Sequence, residues 1–163
     1  MPLLEDLYAR QRARQIEILP FFYSADFPNS AVAANTTPAP VSVNIQSDSH
    51  FVVRYFDITV YTSVPFAVFT GMPALLIQFF DTGSGRTLFD NLQPIQNVCG
   101  GVAAGAGQGS LPFILPEPWL IRAGGSLQVT IQNAGGITFP RVNVSLPGFK
   151  VFKFGGGAPG DLS

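Results

Sequence analysis

Along most of this chain apolar side chains recur at every second residue, in runs cut by glycine and proline. Only a β-strand can bury such a pattern on one face. Val41, Val43 and Ile45 alternate with Ser42, Asn44 and Gln46. Leu127, Val129 and Ile131 repeat the pattern, as do Val142, Val144 and Leu146, and each set is expected to face a core. Residues 66–70, 74–80 and 149–154 add further strands. Phe51 to Tyr61 is apolar at both parities, which predicts a central strand covered on both faces. Asp81-Thr82-Gly83-Ser84-Gly85 supplies the turn of a hairpin into Arg86-Thr87-Leu88-Phe89. Ile16 to Tyr23 is apolar and β-favouring, and a loop over residues 26–40 follows it. Eight or more short strands with turns between them predict an all-β chain, an antiparallel β-sandwich with the jelly roll first among its forms.

Helical spacing occurs once, over residues 3–19, where Leu3, Leu4, Leu7 and Tyr8 form a stripe ahead of Arg10, Arg12 and Arg14. The 163 residues thus divide into an extended N-terminal arm (1–19), a sandwich domain (20–154) and a flexible, glycine-rich tail (155–163). The arm is expected to add little to the core. Its apolar stripe suits a groove on a neighbour, and its arginines suit carboxylates there. Residues 99–110 contain five glycines and no charge, a long loop of the sort that acts or is held by a partner. Trp119 stands among Pro112, Pro116 and Pro118, so it is either a plug between the sheets or a stiffly held partner anchor.

Charge narrows the function. Only 12% of residues are charged, 9 basic and 10 acidic, against roughly 25% in soluble domains. A folded chain of this size exposes roughly 7,800 Å². So thin a charge layer predicts large apolar patches, hence partners that cover them and self-association into a dimer or trimer. A net charge of −1 predicts no nucleic-acid partner. Pro65, Pro73, Gln78 and Asp81 interrupt the most apolar stretch, so no membrane span is expected, and the first residues lack the pattern of a secretory signal.

Catalytic chemistry has few places to reside. Phe79-Phe80-Asp81-Thr82-Gly83-Ser84 resembles the aspartic-protease motif, in which two such loops meeting in a homodimer would share one proton between two carboxylates. The later hydrophobic-hydrophobic-Gly-Arg segment of that family is missing, and a plain hairpin turn explains the same residues. His50 is the single histidine and lies in a polar turn; Cys99 is the single cysteine and suits a small buried thiol. No metal, cofactor or catalytic residue is expected. A carbohydrate-binding jelly roll is the remaining alternative, and it would need exposed aromatics on one sheet face.

Five segments together carry a family likeness: Phe51-Val52-Val53-Arg54-Tyr55; Phe80 to Leu88; Leu111 to Trp119; Gly124 to Thr130; and Leu146-Pro147-Gly148-Phe149-Lys150. Over residues 16–154 the chain resembles the small minor structural proteins of tailed-bacteriophage virions. The resemblance implies an extended arm ahead of a jelly-roll-like sandwich, without catalytic activity. It also implies a cement or decoration role on the capsid surface, after synthesis in the host cytoplasm, with the major capsid protein and copies of itself as partners. Leu3, Leu4, Leu7, Tyr8, Arg10, Arg12, Arg14 and Trp119 are the expected contact residues.

Overall fold

The segments of Leu127 to Ile131 and Val142 to Leu146 become strands with the expected parity inward, and that of Val41 to Ile45 becomes a short strand ending at Asn44. The computed structural model describes residues 3–27, 32–63, 67–69, 73–98 and 113–155. In chain order the elements are α1 (Leu3–Arg12), β1 (Ile16–Phe27), β2 (Val41–Asn44), β3 (His50–Ser63), β4 (Ala67–Val68) and β5 (Leu75–Asp81). Then come β6 (Arg86–Thr87), β7 (Gln93–Pro94), α2 (Ile95–Val98), β8 (Phe113–Ile121), β9 (Ser126–Asn133) and β10 (Arg141–Lys153). They build two five-stranded sheets. The first runs β1-β10-β3, with β8 and β4 sharing the far edge of β3; the second runs β2-β9-β5, with β6 and β7 sharing the far edge of β5. Every ladder is antiparallel. The chain is thus an all-β antiparallel sandwich, and no helix among the described residues is long and apolar enough to cross a membrane.

The core lies between the sheets. Leu127, Val129 and Ile131 of β9 meet Val142, Val144 and Leu146 of β10 there, all of them buried. Phe56 of β3 stacks on Phe79 of β5 with centroids 4.1 Å apart, joining the two layers at their middle. Asn133 is buried as well, and its side-chain amide donates to the carbonyls of Val32, Ala33 and Ile137 while its oxygen accepts from the Gly135 N–H. That one side chain closes the β9–β10 connection over the chain entering β2. Close by in the chain, Arg141 grips Asp26 with two bonds of 2.7 and 2.9 Å, and this hydrogen bonding holds the guanidinium pKa above its ordinary value.

Three expectations need correction. First, Leu146 to Phe154 does not break at Pro147-Gly148. β10 runs 13 residues through that dipeptide, with a register shift against β3 between Ser145 and Gly148. A Cβ on Gly148 would stand 2.0 Å from the Val52 carbonyl oxygen, so glycine allows the strands to pass where any side chain would force them apart. Second, the helix stops at Arg12. Arg14 takes φ 55°, and its N–H and that of Gln15 bond back to the Gln11 and Arg10 carbonyls, a left-handed cap that frees Ile16 to begin a strand. Residues 16–19 therefore belong to the sandwich, where all four pair with β10.

Third, the arm is not independent of the core. Val52 and Val151, on the outer face of the first sheet, form a second apolar cluster with Ile16 and Leu7, and Leu3, Ile18 and Leu120 pack at its margin. Here lies the second cover that the doubly apolar β3 requires. Leu7 is 1% exposed, so its removal to alanine should cost about 2–3 kcal/mol. Deleting residues 1–15 should lower the thermal midpoint rather than leave it unchanged. Gly148→Ala should cost about 3 kcal/mol or more through the clash with Val52, measured by urea or thermal unfolding.

Candidate functional site

Two turns distant in sequence meet at the end of the sandwich where β5 finishes and β9 begins. The β5–β6 turn is held by Asp81, whose Oδ1 accepts from the N–H groups of Gly83 (2.9 Å) and Ser84 (3.4 Å) and whose Oδ2 accepts from Ser84 Oγ (2.7 Å). Gly85, at φ +69°, completes the reversal that brings Arg86 opposite Asp81. The β8–β9 turn is set by Gly124 at φ +72° and by Gly125, where a Cβ would lie 2.9 Å from the Arg122 carbonyl. The turns are tied together. Both the N–H and the hydroxyl of Thr82 donate to the Ser126 carbonyl at 2.9 Å. Ala123 N–H donates to His50 Nδ1 at 2.9 Å, which fixes the second turn to the start of β3 and gives the single histidine its structural use.

Between the turns lies a cleft of about 720 Å³, a volume in the range of small-ligand sites. Trp119, Arg86, Arg122, Gly83, Gly124 and Gly125 line it. Asp81 is 4% exposed, and both its oxygens accept bonds from its own turn. The Asp-Thr-Gly-Ser loop therefore uses its carboxylate as a clamp, as the hairpin reading expects. Asp81 is the acidic residue and Arg86 and Arg122 are the basic residues among those lining the cleft.

A second surface runs along β1. Leu19, Phe21 and Phe22 are 45%, 40% and 66% exposed. Phe21 and Tyr23 meet edge to face at 4.9 Å and hold Lys150 over their rings, and the Lys150 ammonium also donates to Gln46 Oε1. On the other face of the strand Phe22 and Pro20 line a shallow groove with Tyr55, Pro147 and Phe149, where Arg54 lies 5.5 Å over the Phe149 ring.

The residues singled out from sequence separate into groups. Leu7 is buried within the chain and Leu3 packs beside it. Leu4 is half-buried, while Tyr8, Arg12 and Arg14 are exposed. Arg10 pairs with Asp6 one helical turn earlier, at 2.8 Å. Trp119 is half-buried against the core and also lines the cleft. Cys99 and the loop of residues 99–110 lie outside the described residues. Phe21, Phe22, Arg86 and Arg122 were not singled out by sequence. The apolar run from Ile16 to Tyr23 contained the signal for the first two, since it is apolar at both parities on a strand that has a neighbour on one side only.

No protein-family model matches the sequence, and no curated protein matches it. Among solved structures the chain is similar to the cyanophage Pam1 capsid asymmetric unit, at 16% identity and a TM-score of 0.41, over 83% of this chain and 86% of that one.

Replacing Asp81 with alanine would leave two N–H groups and a hydroxyl of the turn without their acceptor. The expected loss is about 2 kcal/mol, or roughly 4–8 °C in thermal midpoint, measured by calorimetry.

Proposed function

We propose that this protein is a non-enzymatic structural component of a tailed-phage virion that cements or decorates the capsid, binding the major capsid protein and further copies of itself. The apolar side chains exposed on both faces of edge strand β1, Leu19 and Phe21 on one and Phe22 on the other, carry the reading. Three exposed apolar side chains at a sheet edge, in a chain with 12% charged residues, form a surface that water covers poorly and a protein partner covers well. Pro20 sits in the middle of that strand and lacks an N–H, so the edge is suited to recognition through its side chains and not to strand addition.

The strand order supports the jelly-roll form of the sandwich. The chain lays β1, β10, β3 and β8 in one sheet against β2, β9, β5 and β7 in the other. Except between β5 and β7, successive members of this set lie in opposite sheets, as in two linked Greek keys. Jelly rolls serve virus shells and sugar-binding proteins alike, so surface chemistry, not fold, has to choose between them. Here the likeness to phage minor structural proteins over residues 16–154 and the apolar β1 edge agree on an assembly role. Tyr8, Arg12 and Arg14 on the exposed side of the arm extend the contact surface, with the dimer or trimer as the self-associated form.

Phe22 is mostly exposed, so Phe22→Ser should change stability by no more than about 0.5 kcal/mol. It should weaken attachment to empty capsids, or self-association, by tenfold or more in a sedimentation assay. Unchanged attachment and unchanged association would exclude β1 as the docking edge.

A further inference from the structure

We propose that the outer face of the first sheet, at the groove beside β1, joins two copies of this chain about a two-fold axis, with Arg54 of each copy paired to Asp57 of the other. The inference rests on the self-association part of the reading above and gives it a surface and a symmetry. The groove has a volume of about 510 Å³ and is lined by Phe22, Tyr55, Pro147 and Phe149 together with Arg54 and Asp57. α1 seats on Val52 and Val151 of the same sheet, while Phe22 beside the groove is 66% exposed.

On a regular strand residues 54 and 57 would point to opposite faces. They line one groove because β3 runs from Val53 to Asp57 while β10 runs only from Ser145 to Gly148, which gives β3 an extra residue there. The bulge thus sets a cation and an anion on one face of one strand, about 10 Å apart. Among the described residues neither side chain has a hydrogen bond or an ion pair; Arg54 lies 5.5 Å over the Phe149 ring. A ring face takes up none of the guanidinium N–H donors, so they remain for a carboxylate.

Any occupant of the groove removes both charges from water, which is costly unless each meets its opposite. The occupant must therefore carry an anion and a cation in the reverse order along β3. A second copy supplies them when the two-fold axis lies in the interface and crosses β3 midway between residues 54 and 57. Arg54 then faces the partner's Asp57 and Asp57 faces the partner's Arg54, so one operation makes both pairs. The same axis lays β1 over β1. Phe22 pairs with Pro147, which stands opposite the bulge, so each Phe22 approaches its counterpart and is covered.

Sedimentation of the full chain tests the interface. The parent chain should be a dimer at high micromolar concentration. Arg54→Asp sets carboxylate against carboxylate in both pairs, Asp57→Arg sets guanidinium against guanidinium, and each should weaken self-association tenfold or more. An equimolar mixture of the two variants should recover the dimer, because a mixed dimer again holds two opposite-charge pairs. Recovery requires contact between copies, and a role confined to one chain would not produce it. Both variants should keep the thermal midpoint of the parent within about 4 °C. Should either unfold, Arg54→Gln and Asp57→Asn decide, each weakening the dimer severalfold. The proposal is overturned if the parent is a monomer or a trimer, if the variants dimerise like the parent, or if the mixture of folded variants stays monomeric. Attachment to empty capsids separates it from the wider reading: a chain that attaches as a monomer overturns the two-fold alone, and one that dimerises through these pairs without attaching overturns the capsid role alone.

Discussion

The passage of β10 over β3 at Gly148 is the constraint on which the sandwich depends. β10 is paired along both its edges for most of its length, with β1 on one side and β3 on the other. The ladder holds only if main chain meets main chain at Gly148, where the space for a Cβ is filled by the Val52 carbonyl. Beyond that point the strand delivers Lys150 to the inner face and Val151 to the outer one. The first closes the end of the core against Phe21 and Tyr23, and the second forms the seat of α1. A break at Pro147-Gly148 would remove both.

Charge is scarce in this chain, and part of what exists lies against aromatic rings. Arg54 lies over Phe149, Arg141 over Tyr61 and Lys150 over Phe21. Such contacts desolvate a cation in part and let the stem cover apolar surface. They also reduce the charge available to keep the surface wet. The patch on β1 thus lies on a chain with little charge, three of whose cations are turned toward its own aromatics. A monomer with that surface has little to oppose association, which is why the β1 edge weighs more in the functional reading than the fold does.

The inner face was legible in the sequence and the outer face was not. Leu127, Val129, Ile131, Val142, Val144 and Leu146 alternate over enough residues that a single register buries them all, and all are buried. The Asp81 turn was legible because its chemistry is local: the carboxylate and its donors lie within four residues. The bulge at Gly148 was hidden because Pro-Gly is also the commonest sign of a turn. Only the presence of β1 and β3 on either side makes continuation the better solution. The burial of Leu7 was hidden for a related reason. A stripe of leucines is the same whether it covers a neighbour or its own sheet, and Val52 and Val151, nearly a hundred residues apart, decide the matter together. The cleft could not be read at all, since it joins residues 81–86 with 119–125 through tertiary contact alone.

The β1 edge and the cleft share one end of the sandwich without sharing residues. Leu19, Lys150, Phe51 and Ile121 form a row across the first sheet, from β1 through β10 and β3 to β8. Three strand spacings separate its ends, about 14 Å. A partner seated on Leu19 and Phe21 would therefore leave Trp119 and Arg122 open on the far side. Gln46 connects the two regions, accepting from Lys150 with its side chain and from Gly124 N–H with its carbonyl, while its own N–H donates to the Tyr23 hydroxyl. The contacts of Gln46 are short-range and polar, and they join rigid elements. They fix the spacing between the two surfaces and provide no second arrangement between which occupancy could switch. On this geometry the protein presents two separate surfaces, an apolar edge and a cleft between two turns, held at constant distance by the same end of one sandwich.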